Sequence, residues 1–425
     1  KVPRRESGMT PYEVMLSESQ ERMLVAAKKG YEEKVKALFK KWDLEVDVIG
    51  RVTGDGMARI TEGDKIVAEV PIATLNEPPK YQFQVKKPQW LKKLQSFELS
   101  SIPDASPGDC NAIFLRLLGS PNIASKEWVY RQYDHQVGDN TVIAPGGDAA
   151  VLRIQGTKRA IAMTADGNGR YCYLDPYIGG ELAVAEAARN LACVGAEPLA
   201  ITDCLNFGNP ERPDIYYQLK ECVRGMAHAC RRMHIPVISG NVSLYNDTRG
   251  QAIYPTPVVG MVGLLEDVDK RCASGFKQPG DVVCLLGELV EDITGLAGSE
   301  YVELVHSKVI GRPALELGLE IGVQGACREA IKQGLLNSAH DCSDGGLIVA
   351  LAESAITGGI GFKGDKSLPG SRLDVFLFGE SPSRIVISLA KRNIKTIEDI
   401  AARYGAPLQR LGVVGGERLI IPGII

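Results

Sequence analysis

Two stretches of the chain share one pattern of apolar and polar positions, without a gap. They are "ESQERMLVAAKKGYEEKVKALFKKWDLEVDVIGRV", which begins at Glu18, and "ESPSRIVISLAKRNIKTIEDIAARYGAPLQRLGVV", which begins at Glu380. Each copy predicts a strand, a helix, a strand, a turn and a strand. The predicted first strands are Met23–Val25 and Ile385–Ile387, and the predicted helices are Glu32–Lys41 and Ile397–Tyr404.

Glycines punctuate both copies at the same place. Gly54-Asp55-Gly56 and Gly415-Gly416 predict hairpin turns. Because each copy should build the same substructure, we interpret the repeat as an internal duplication, the alternative being two unrelated α+β tails that share a pattern by chance. The second copy closes a domain that starts near Pro279. We therefore expect the first copy to be the tail of a similar domain, with a further segment upstream of Lys1 in the parent protein.

Between the two copies, short apolar runs alternate with longer segments of helical period. The mixture predicts an α+β fold with mixed sheets rather than strictly alternating βαβ units. The predicted strands are Ala149–Ile154, Arg159–Thr164, Ala200–Cys204, Val237–Ser239 and the region of Val258–Leu265, and the predicted helices are Gly180–Val194, Ile215–Met233 and Gly346–Ile356.

The same patterns divide the chain. Residues 1–80 form the orphan tail, and residues 81–108, which are rich in Pro, Ser and Lys, are predicted to be a linker that crosses a surface. A central domain covers 109–270, and a last domain covers 279–425.

Composition narrows the function classes. A chain of 425 residues with 44% hydrophobic content suggests two to three domains. Lys+Arg 49 against Asp+Glu 52 gives a net charge of -3, which argues against a nucleic-acid surface. The 10 Cys show no C-x-x-C spacing, so we expect reduced thiols and a cytoplasmic protein, not a disulfide scaffold or a zinc site. No apolar stretch is long enough to span a bilayer, and no membrane partner is expected.

Two motifs combine groups that suit magnesium and phosphate. Asp148 follows Gly146-Gly147, where backbone amides can approach a phosphate and the carboxylate can hold Mg²⁺; the alternative is an Asp-capped glycine turn. Glu186 and Asn190 are spaced i,i+4 and share one helix face, which suits a hard cation. The alternative is a solvated helix face, but the neighbouring alanines favour close packing.

Polar residues also follow predicted strands. Asp203 lies at the end of one strand, in "ITDCLNFGNPE", and predicts either a site-lining loop or a simple turn. Gly240-Asn241-Val242-Ser243 follows another strand and offers close backbone approach, an amide oxygen and a hydroxyl; a β-bulge or hairpin loop is the alternative.

The segment "HDCSDGGL" precedes a predicted helix. Ser343 or Asp344 can cap that helix, and Gly345-Gly346 leaves backbone amides open to an anion. Capping alone would explain the Ser-Asp pair. Neither G-x-x-x-x-G-K-[ST] nor G-x-G-x-x-G occurs, so any ATP site must use another architecture.

Together these motifs resemble one known family. "GMTPYEVMLSESQERM", "YDHQVGDNTVIAPGGDAAV", "LDPYIGGELAVAEAARNLACVGAEPLAITDCLNFGNPE", "ISGNVSLYN" and "HDCSDGGL" are similar to the synthetase subunit, in its smaller form, of the phosphoribosylformylglycinamidine synthase family. The resemblance covers essentially the whole chain. It implies tandem domains of the aminoimidazole-ribotide-synthetase type, internally duplicated. The tail 1–80 and the region 279–425 would then be C-terminal-type domains, and 109–270 an N-terminal-type domain.

The resemblance also implies a reaction. ATP phosphorylates the amide oxygen of formylglycinamide ribotide, and ammonia then displaces phosphate to leave an amidine, a step of de novo purine biosynthesis. Mg²⁺ neutralises charge on the transferring phosphoryl group. The ammonia comes from glutamine in a separate amidotransferase subunit, and a small third subunit bridges the two.

Site residues follow by motif. Glu18, Ser19, Gln20 and Ser243 match substrate contacts, Asp203 and Gly240 match ATP contacts, and Asn241 matches a Mg²⁺ ligand. In larger relatives, Mg²⁺ ligands of an auxiliary nucleotide site match Asp148, Glu186, Asn190 and Asp344. Pro382 stands in the second copy where the first has Gln20, so the two copies cannot bind one ligand in the same way.

The chain also departs from the family. No segment matches the family's catalytic histidines, which lie in the first duplicated half, and His135 belongs to a different motif. We therefore expect no catalytic residue here and an incomplete enzyme. The alternatives are a non-catalytic scaffold half with an auxiliary nucleotide site, or another ATP-dependent member of the aminoimidazole-ribotide synthetase superfamily.

Overall fold

A computed structural model of the chain describes residues 2–4, 6–18, 22–77, 80–289, 292–365 and 372–425. The chain divides into two compact units, Lys1–Gln82 and Phe83–Ile425. Among the described residues, no helix combines the length and the apolar character needed to cross a membrane.

The first unit consists of short, largely exposed elements. In chain order they are α1 (Pro11–Leu16), α2 (Glu32–Lys40), β1 (Met57–Glu62), β2 (Lys65–Pro71) and α3 (Ile72–Asn76). Thr10 and Glu13 form a capping box that starts α1, and α2 confirms the predicted helix. The strands β1 and β2 form an antiparallel hairpin with its turn at Gly63-Asp64. The hairpin predicted at Gly54-Asp55-Gly56 is therefore wrong, because these residues bend the chain before β1 and do not connect two paired strands.

The predicted strand Met23–Val25 is also wrong. These residues form no strand, and Met23 is 89% exposed. In the described part of the first unit the strands β1 and β2 pair with each other, so the Met23–Val25 segment has no neighbouring strand to share hydrogen bonds or an apolar layer. The matching segment of the second copy is a fully buried strand in the middle of a sheet.

The first half of the second unit is a six-stranded sheet with helices. Its elements are α4 (Gln89–Gln95), α5 (Pro107–Leu118), α6 (Glu127–Tyr130), β3 (Thr141–Ile143), β4 (Ala150–Arg153), β5 (Ala160–Asp166), α7 (Gly169–Leu174), α8 (Pro176–Val194), β6 (Glu197–Asn206), α9 (Pro213–Met233), β7 (Val237–Ser243), β8 (Asp247–Thr248), β9 (Gln251–Ala252) and β10 (Thr256–Leu265). The strand order is β3-β4-β5-β10-β6-β7, antiparallel except for β6 and β7. All five strands and both helices predicted here are confirmed.

Helices α8 and α9 approach each other very closely. The space for a side chain at Gly180 is filled by the Cys222 carbonyl, and that at Gly225 by the Tyr177 carbonyl. The alanine-rich α8 is buried on nearly all sides, since it packs on the sheet, on α9 and on the second half of the unit. This position explains why α8 is apolar all round.

The second half of the unit is a six-stranded sheet between two helical layers. Its elements are β11 (Val282–Leu286), α10 (Glu300–His306), α11 (Leu317–Lys332), β12 (Ser338–Asp341), α12 (Gly346–Gly358), β13 (Phe362–Gly364), α13 (Leu373–Phe378), β14 (Ile385–Leu389), α14 (Ile394–Arg403), β15 (Leu408–Val414) and β16 (Leu419–Ile420). The strand order is β12-β14-β11-β15-β13-β16. The predicted elements Ile385–Ile387, Ile397–Tyr404 and Gly346–Ile356 are confirmed. Gly415-Gly416 makes a turn but no hairpin, because β16 pairs in parallel with β13.

The segment predicted to be a linker contains α4 and a 3₁₀ turn, Leu99–Ser101. The side chains of Leu91, Leu99 and Ile102 are buried. Leu99, Ile102 and the apolar face of α5 join the core formed by α12, α13 and β11. The difference arises because the few apolar residues of this stretch pack against the second half of the unit, which no local periodicity reveals.

The α8–α9 contact predicts a large cost for any side chain at Gly225. A Cβ there would lie 1.9 Å from the Tyr177 carbonyl oxygen, so we expect Gly225→Ala to lower the free energy of unfolding by at least about 2 kcal/mol in urea denaturation. The control is Gly108→Ala at the exposed start of α5, which should change it by less than about 1 kcal/mol. Equal effects of the two variants would contradict the close helix contact.

Candidate functional site

Four acidic side chains converge where α8 passes between the two sheets of the second unit. Asp166 ends β5, Glu186 lies in the middle of α8, Asp341 ends β12, and Asp344 lies in the loop before α12. The charges of Asp166, Asp341 and Asp344 all raise the pKa of Glu186, and the charge of Asp341 also raises the pKa of Asp166. We call Asp166, Glu186, Asp341 and Asp344 the acidic cluster.

Asn190 connects α8 to the acidic cluster. Its side-chain nitrogen donates to Asp166 Oδ1 at 2.8 Å, and Thr164 Oγ1 donates to Asp166 Oδ2 at 2.9 Å. Glu186 is one helical turn before Asn190 on the same face, so both predicted residues face Asp166. The amide of Asn190 thus orients a carboxylate that the sequence analysis did not select.

Asp148 is held against the same site by the end of β12. Its carboxylate accepts from the Asp341 backbone N–H at 2.8 Å and lies 3.0 Å from His340 Nδ1. His340 Nε2 lies 3.0 Å from Glu353 Oε2. Burial lowers the pKa of His340, but the Asp148 and Glu353 carboxylates outweigh burial and raise it well above its usual value. Asp148 is therefore paired with a cation of the protein itself.

Arg189 compensates the deepest carboxylates. Its Nη1 donates to both carboxylate oxygens of Glu320, at 2.9 and 2.8 Å, and its Nε forms a close ion pair with Asp341. All three side chains are almost completely buried. The Asp341 and Glu320 charges outweigh burial and raise the pKa of Arg189, so the arginine stays charged.

Asp344 lies at the exposed edge of the cluster. Asn168 Nδ2 donates to its Oδ1 at 3.2 Å, Arg170 Nη2 lies 3.6 Å away, and 38% of the side chain is exposed. The predicted capping of α12 by Ser343 or Asp344 is wrong. The N-cap residue is Gly345, whose backbone lies in the left-handed region, and no side chain caps the helix there. A ligand could therefore reach the Asp344 carboxylate, whereas the first residues of α12 are buried.

The protonation of the cluster follows from burial and crowding. Burial, then the charge of Asp341, raises the pKa of Asp166 from 3.8 to about 7. Burial and Asp166 raise the pKa of Glu186 well above its usual value, and burial raises that of Asp344. These carboxyls resist ionisation first because they are buried, and then because Arg189 and Arg170 only partly offset the charge of the neighbouring carboxylates.

The donor chemistry fits Mg²⁺. With Asn190 beside it, the cluster presents carboxylate and amide oxygens, which are the ligands of a hard cation. Glu186, Asn190, Asp344 and Asp148 are the predicted ligands. Among the described residues, no group of three or more His, Cys, Asp or Glu side chains is arranged to hold a metal ion by itself.

A second group of predicted residues lies on β6 and the edge strand β7. Asp203 is paired in register with Gly240, and a Cβ at Gly240 would lie 2.1 Å from Asp203 Oδ1, so the carboxylate occupies that space. Burial raises the pKa of Asp203. Asn241 and Ser243, predicted to lie in a loop, belong to β7, where Ser243 Oγ donates to Asn246 Oδ1 at 3.2 Å.

Strand alternation separates these residues. The side chains of consecutive residues on β7 point to opposite faces of the sheet. Asn241 and Ser243 therefore point to the face opposite to the one on which Asp203 meets Gly240. Glu18 follows α1 in the first unit, and Ser19 and Gln20 lie outside the described residues.

Several residues of the site escaped the sequence analysis, chiefly Asp166, Arg170, Arg189, Glu320 and Glu380. Asp166 had a usable signal, since it ends the apolar strand "AIAMTAD" directly before Gly-Asn-Gly. Arg189 and Glu320 had none, because each looks like an ordinary charge on a helix and only the packing of α8 against α11 buries them.

The raised pKa of Asp166 predicts a pH-dependent stability. A carboxyl whose pKa is higher in the fold than in the unfolded chain stabilises fully below about pH 4, and the contribution is lost as the pH rises toward 7. Asp166→Asn keeps a neutral group at every pH. In metal-free buffer we expect its melting temperature to gain on that of the wild type by roughly 4 °C between pH 5 and pH 8.

The control is Asp269→Asn, which removes a surface carboxylate and should show no such trend. Parallel melting curves for Asp166→Asn and the wild type across this pH range would contradict the strained ionisation of Asp166.

Two domain models match the chain. "AIR synthase related protein, N-terminal domain" matches residues 146–265, and "AIR synthase related protein, C-terminal domain" matches residues 1–62 and 278–422. One model thus matches both copies of the repeat, which confirms the predicted internal duplication and the tandem synthetase-type fold.

Known relatives match the chain from end to end. A protein of Moorella thermoacetica named "Phosphoribosylformylglycinamidine synthase subunit PurL" is 53% identical over 422 residues, which are 99% of this chain and 57% of the relative. The structure "T. maritima PurL complexed with ATP" is 25% identical, with a TM-score of 0.63 over 98% of this chain and 58% of that one. "T. maritima PurL complexed with FGAR", at 24% identity, shares the fold with a TM-score of 0.65 over 98% of this chain and 56% of that one.

The chain therefore spans a little more than half the length of the curated relatives that it matches. The chain belongs to the family of AIR synthase related proteins that contains the phosphoribosylformylglycinamidine synthase subunits PurL.

Proposed function

We propose that this chain is part of the ATP-dependent ligase that converts formylglycinamide ribotide to formylglycinamidine ribotide in purine biosynthesis. The observation that carries the proposal is the 53% identity with a PurL subunit across 99% of the chain. Structures of a related PurL complexed with ATP and with FGAR support the choice of nucleotide and substrate.

The chemistry starts from a poor leaving group. The γ-phosphoryl group of ATP moves to the amide oxygen of the substrate, which gives an iminophosphate and ADP. Ammonia released from glutamine adds at the carbon of the former amide group. Inorganic phosphate leaves with the former amide oxygen, and loss of a proton gives the amidine. Mg²⁺, when bound, neutralises charge on the transferring phosphoryl group.

Residues of β6 and β7 would contact nucleotide, cation and substrate. Asp203 and the backbone at Gly240 would contact ATP, and the missing Cβ at Gly240 leaves room for the Asp203 carboxylate. Asn241 would offer its amide oxygen to Mg²⁺, and Ser243 would bind the substrate. Glu18, Ser19 and Gln20 of the first repeat copy remain our proposed substrate contacts in the first unit.

The acidic cluster suits a second, auxiliary nucleotide site. Mg²⁺ in proteins is usually bound by one or two carboxylates together with phosphate oxygens and water. Glu186, Asn190, Asp344 and Asp148 would supply such a partial set, and the phosphates of a nucleotide would supply the rest. The close pairing of Asp148 with His340 favours a mainly structural role for this site, so a scaffold half is the second candidate function.

We also propose that the chain acts with a glutamine amidotransferase subunit and a small bridging subunit in the cytoplasm, with no nucleic acid or membrane partner. The boundaries 1–80, 109–270 and 279–425 remain our proposed domains. Because the family's catalytic histidines match nothing here, the isolated chain should form no amidine.

A chimaera tests the function. Residues of the Moorella thermoacetica PurL that match this chain are replaced by it, and amidine formation from formylglycinamide ribotide, ATP and ammonium is measured. We expect an active chimaera, in which Asn241→Ala lowers kcat/KM at least about 100-fold through loss of Mg²⁺ coordination. The surface variant Asn111→Ala on α5 should match the parent.

Each outcome is decisive. A folded chimaera without activity would refute the assigned reaction. An active chimaera in which Asn241→Ala behaves like Asn111→Ala would refute only the role of the β7 residues. Amidine formation by the isolated 425-residue chain would refute its catalytic incompleteness.

A further inference from the structure

One buried carboxylate joins three elements behind the acidic cluster. Glu380, just before β14, is 7% exposed. Its Oε1 accepts from the backbone N–H of Gly345 at 2.7 Å and of Glu300 at 2.8 Å, and its Oε2 accepts from the Tyr171 hydroxyl at 2.5 Å. A single side chain thus satisfies the first amide of α10, the N-cap amide of α12 and a phenol of α7.

These contacts fix the loop that carries Asp344. Gly345 and Gly346, directly after Asp344, have φ of 79° and 75°, in the left-handed region that favours glycine. A Cβ at Gly345 would lie 2.5 Å from Val349 Cγ2. The loop therefore has one tight conformation, and the Glu380 carboxylate holds its central amide.

The Glu380 carboxylate also acts on Asp344 through Glu300 and Arg170. Glu300, whose backbone N–H donates to Glu380, forms an ion pair with Arg170. Asn122 Nδ2 donates to the Glu300 carboxylate at 2.8 Å. Arg170 in turn lies 3.6 Å from Asp344. Glu380 thus orders the backbone of the loop and the arginine that faces it.

We propose that Glu380 is a positioning residue that holds Asp344 in place to bind a divalent cation together with the phosphates of a nucleotide. The proposal rests on the auxiliary nucleotide site proposed above. Glu380 touches neither cation nor nucleotide, and it acts only through the Gly345 amide and the Glu300–Arg170 pair. It is the repeat counterpart of Glu18, and the contacts of its carboxylate give it a structural function.

The chemistry of Glu380 supplies a conservative variant. Gln has the shape of Glu and carries no charge. Its carbonyl can accept from both amides and its NH₂ can donate to the Tyr171 oxygen, so Glu380→Gln should preserve the loop and Glu380→Ala should release it.

The experiment uses the full chain and two measurements. Mn²⁺, which accepts the same oxygen ligands as Mg²⁺, is titrated with ADP and followed by electron paramagnetic resonance. Hydrogen exchange of the peptide that contains Gly345 is followed by mass spectrometry. In Glu380→Ala we expect about tenfold weaker Mn²⁺–ADP binding and about tenfold faster exchange. In Glu380→Gln both should stay within about twofold of the wild type.

The matched control is Ser388→Ala on β14, the strand that follows Glu380. It removes a buried side-chain hydrogen bond, to Ser338 Oγ at 2.6 Å, without touching the Asp344 loop. Binding and exchange should match the wild type. If Glu380→Ala does not fold, Tyr171→Phe, which removes one of the three hydrogen bonds, should weaken Mn²⁺–ADP binding about threefold.

The two proposals fail differently. A wild-type chain that does not bind Mn²⁺–ADP would refute the auxiliary nucleotide site. Normal wild-type binding that Glu380→Ala leaves unchanged, or that Ser388→Ala weakens equally, would overturn the positioning role alone.

Discussion

The second unit depends on the buried guanidinium group of Arg189. Arg189 leaves α8 in the first half of the unit and pairs with Asp341 and Glu320, which belong to β12 and α11 of the second half. Breaking a buried pair of this kind typically costs about 3–5 kcal/mol, because an uncompensated charge remains. Arg189 thereby fixes the position of α8 against the second half of the unit, and with it the positions of Glu186 and Asn190 at the site.

The cluster is built from charges that the protein only partly compensates. Arg189 matches Asp341 and Glu320, His340 matches Asp148, and Arg170 is shared by Glu300, Glu303 and Asp344. Among the described side chains, no basic group forms an ion pair with Asp166 or Glu186, and burial together with the neighbouring carboxylates raises their pKa values. A site of this kind is stable without ions only when some carboxyls are protonated, and a bound cation would replace those protons. Structural ordering and cation binding are therefore properties of the same residues.

The sequence predicted the fold well where an element carries its own signal. Long periodic helices such as Gly180–Val194 and Ile215–Met233, and the apolar strands beside them, were confirmed within a few residues. The prediction failed where tertiary partners decide the outcome: Met23–Val25 has the strand pattern but no neighbouring strand, and Leu91 and Leu99 are buried by distant helices. In the site, motif resemblance selected Glu186, Asn190 and Asp344, whereas Arg189 and Glu380 became visible only through their contacts.

The repeat shows how duplicated residues acquire different functions. In the second copy Glu380, Ser381, Ser383 and Arg384 are all buried. Arg384 donates to the carbonyls of Ser381 and Gly379, and Ser383 donates to Glu320, so the motif is retained there for reasons of folding. Pro382 has no side-chain amide, and the Gln20 position has therefore lost its means of holding a polar ligand. A role in ligand binding cannot pass from one copy to the other by alignment alone; it requires the same side chain in the same exposure, and burial removes that condition from the second copy.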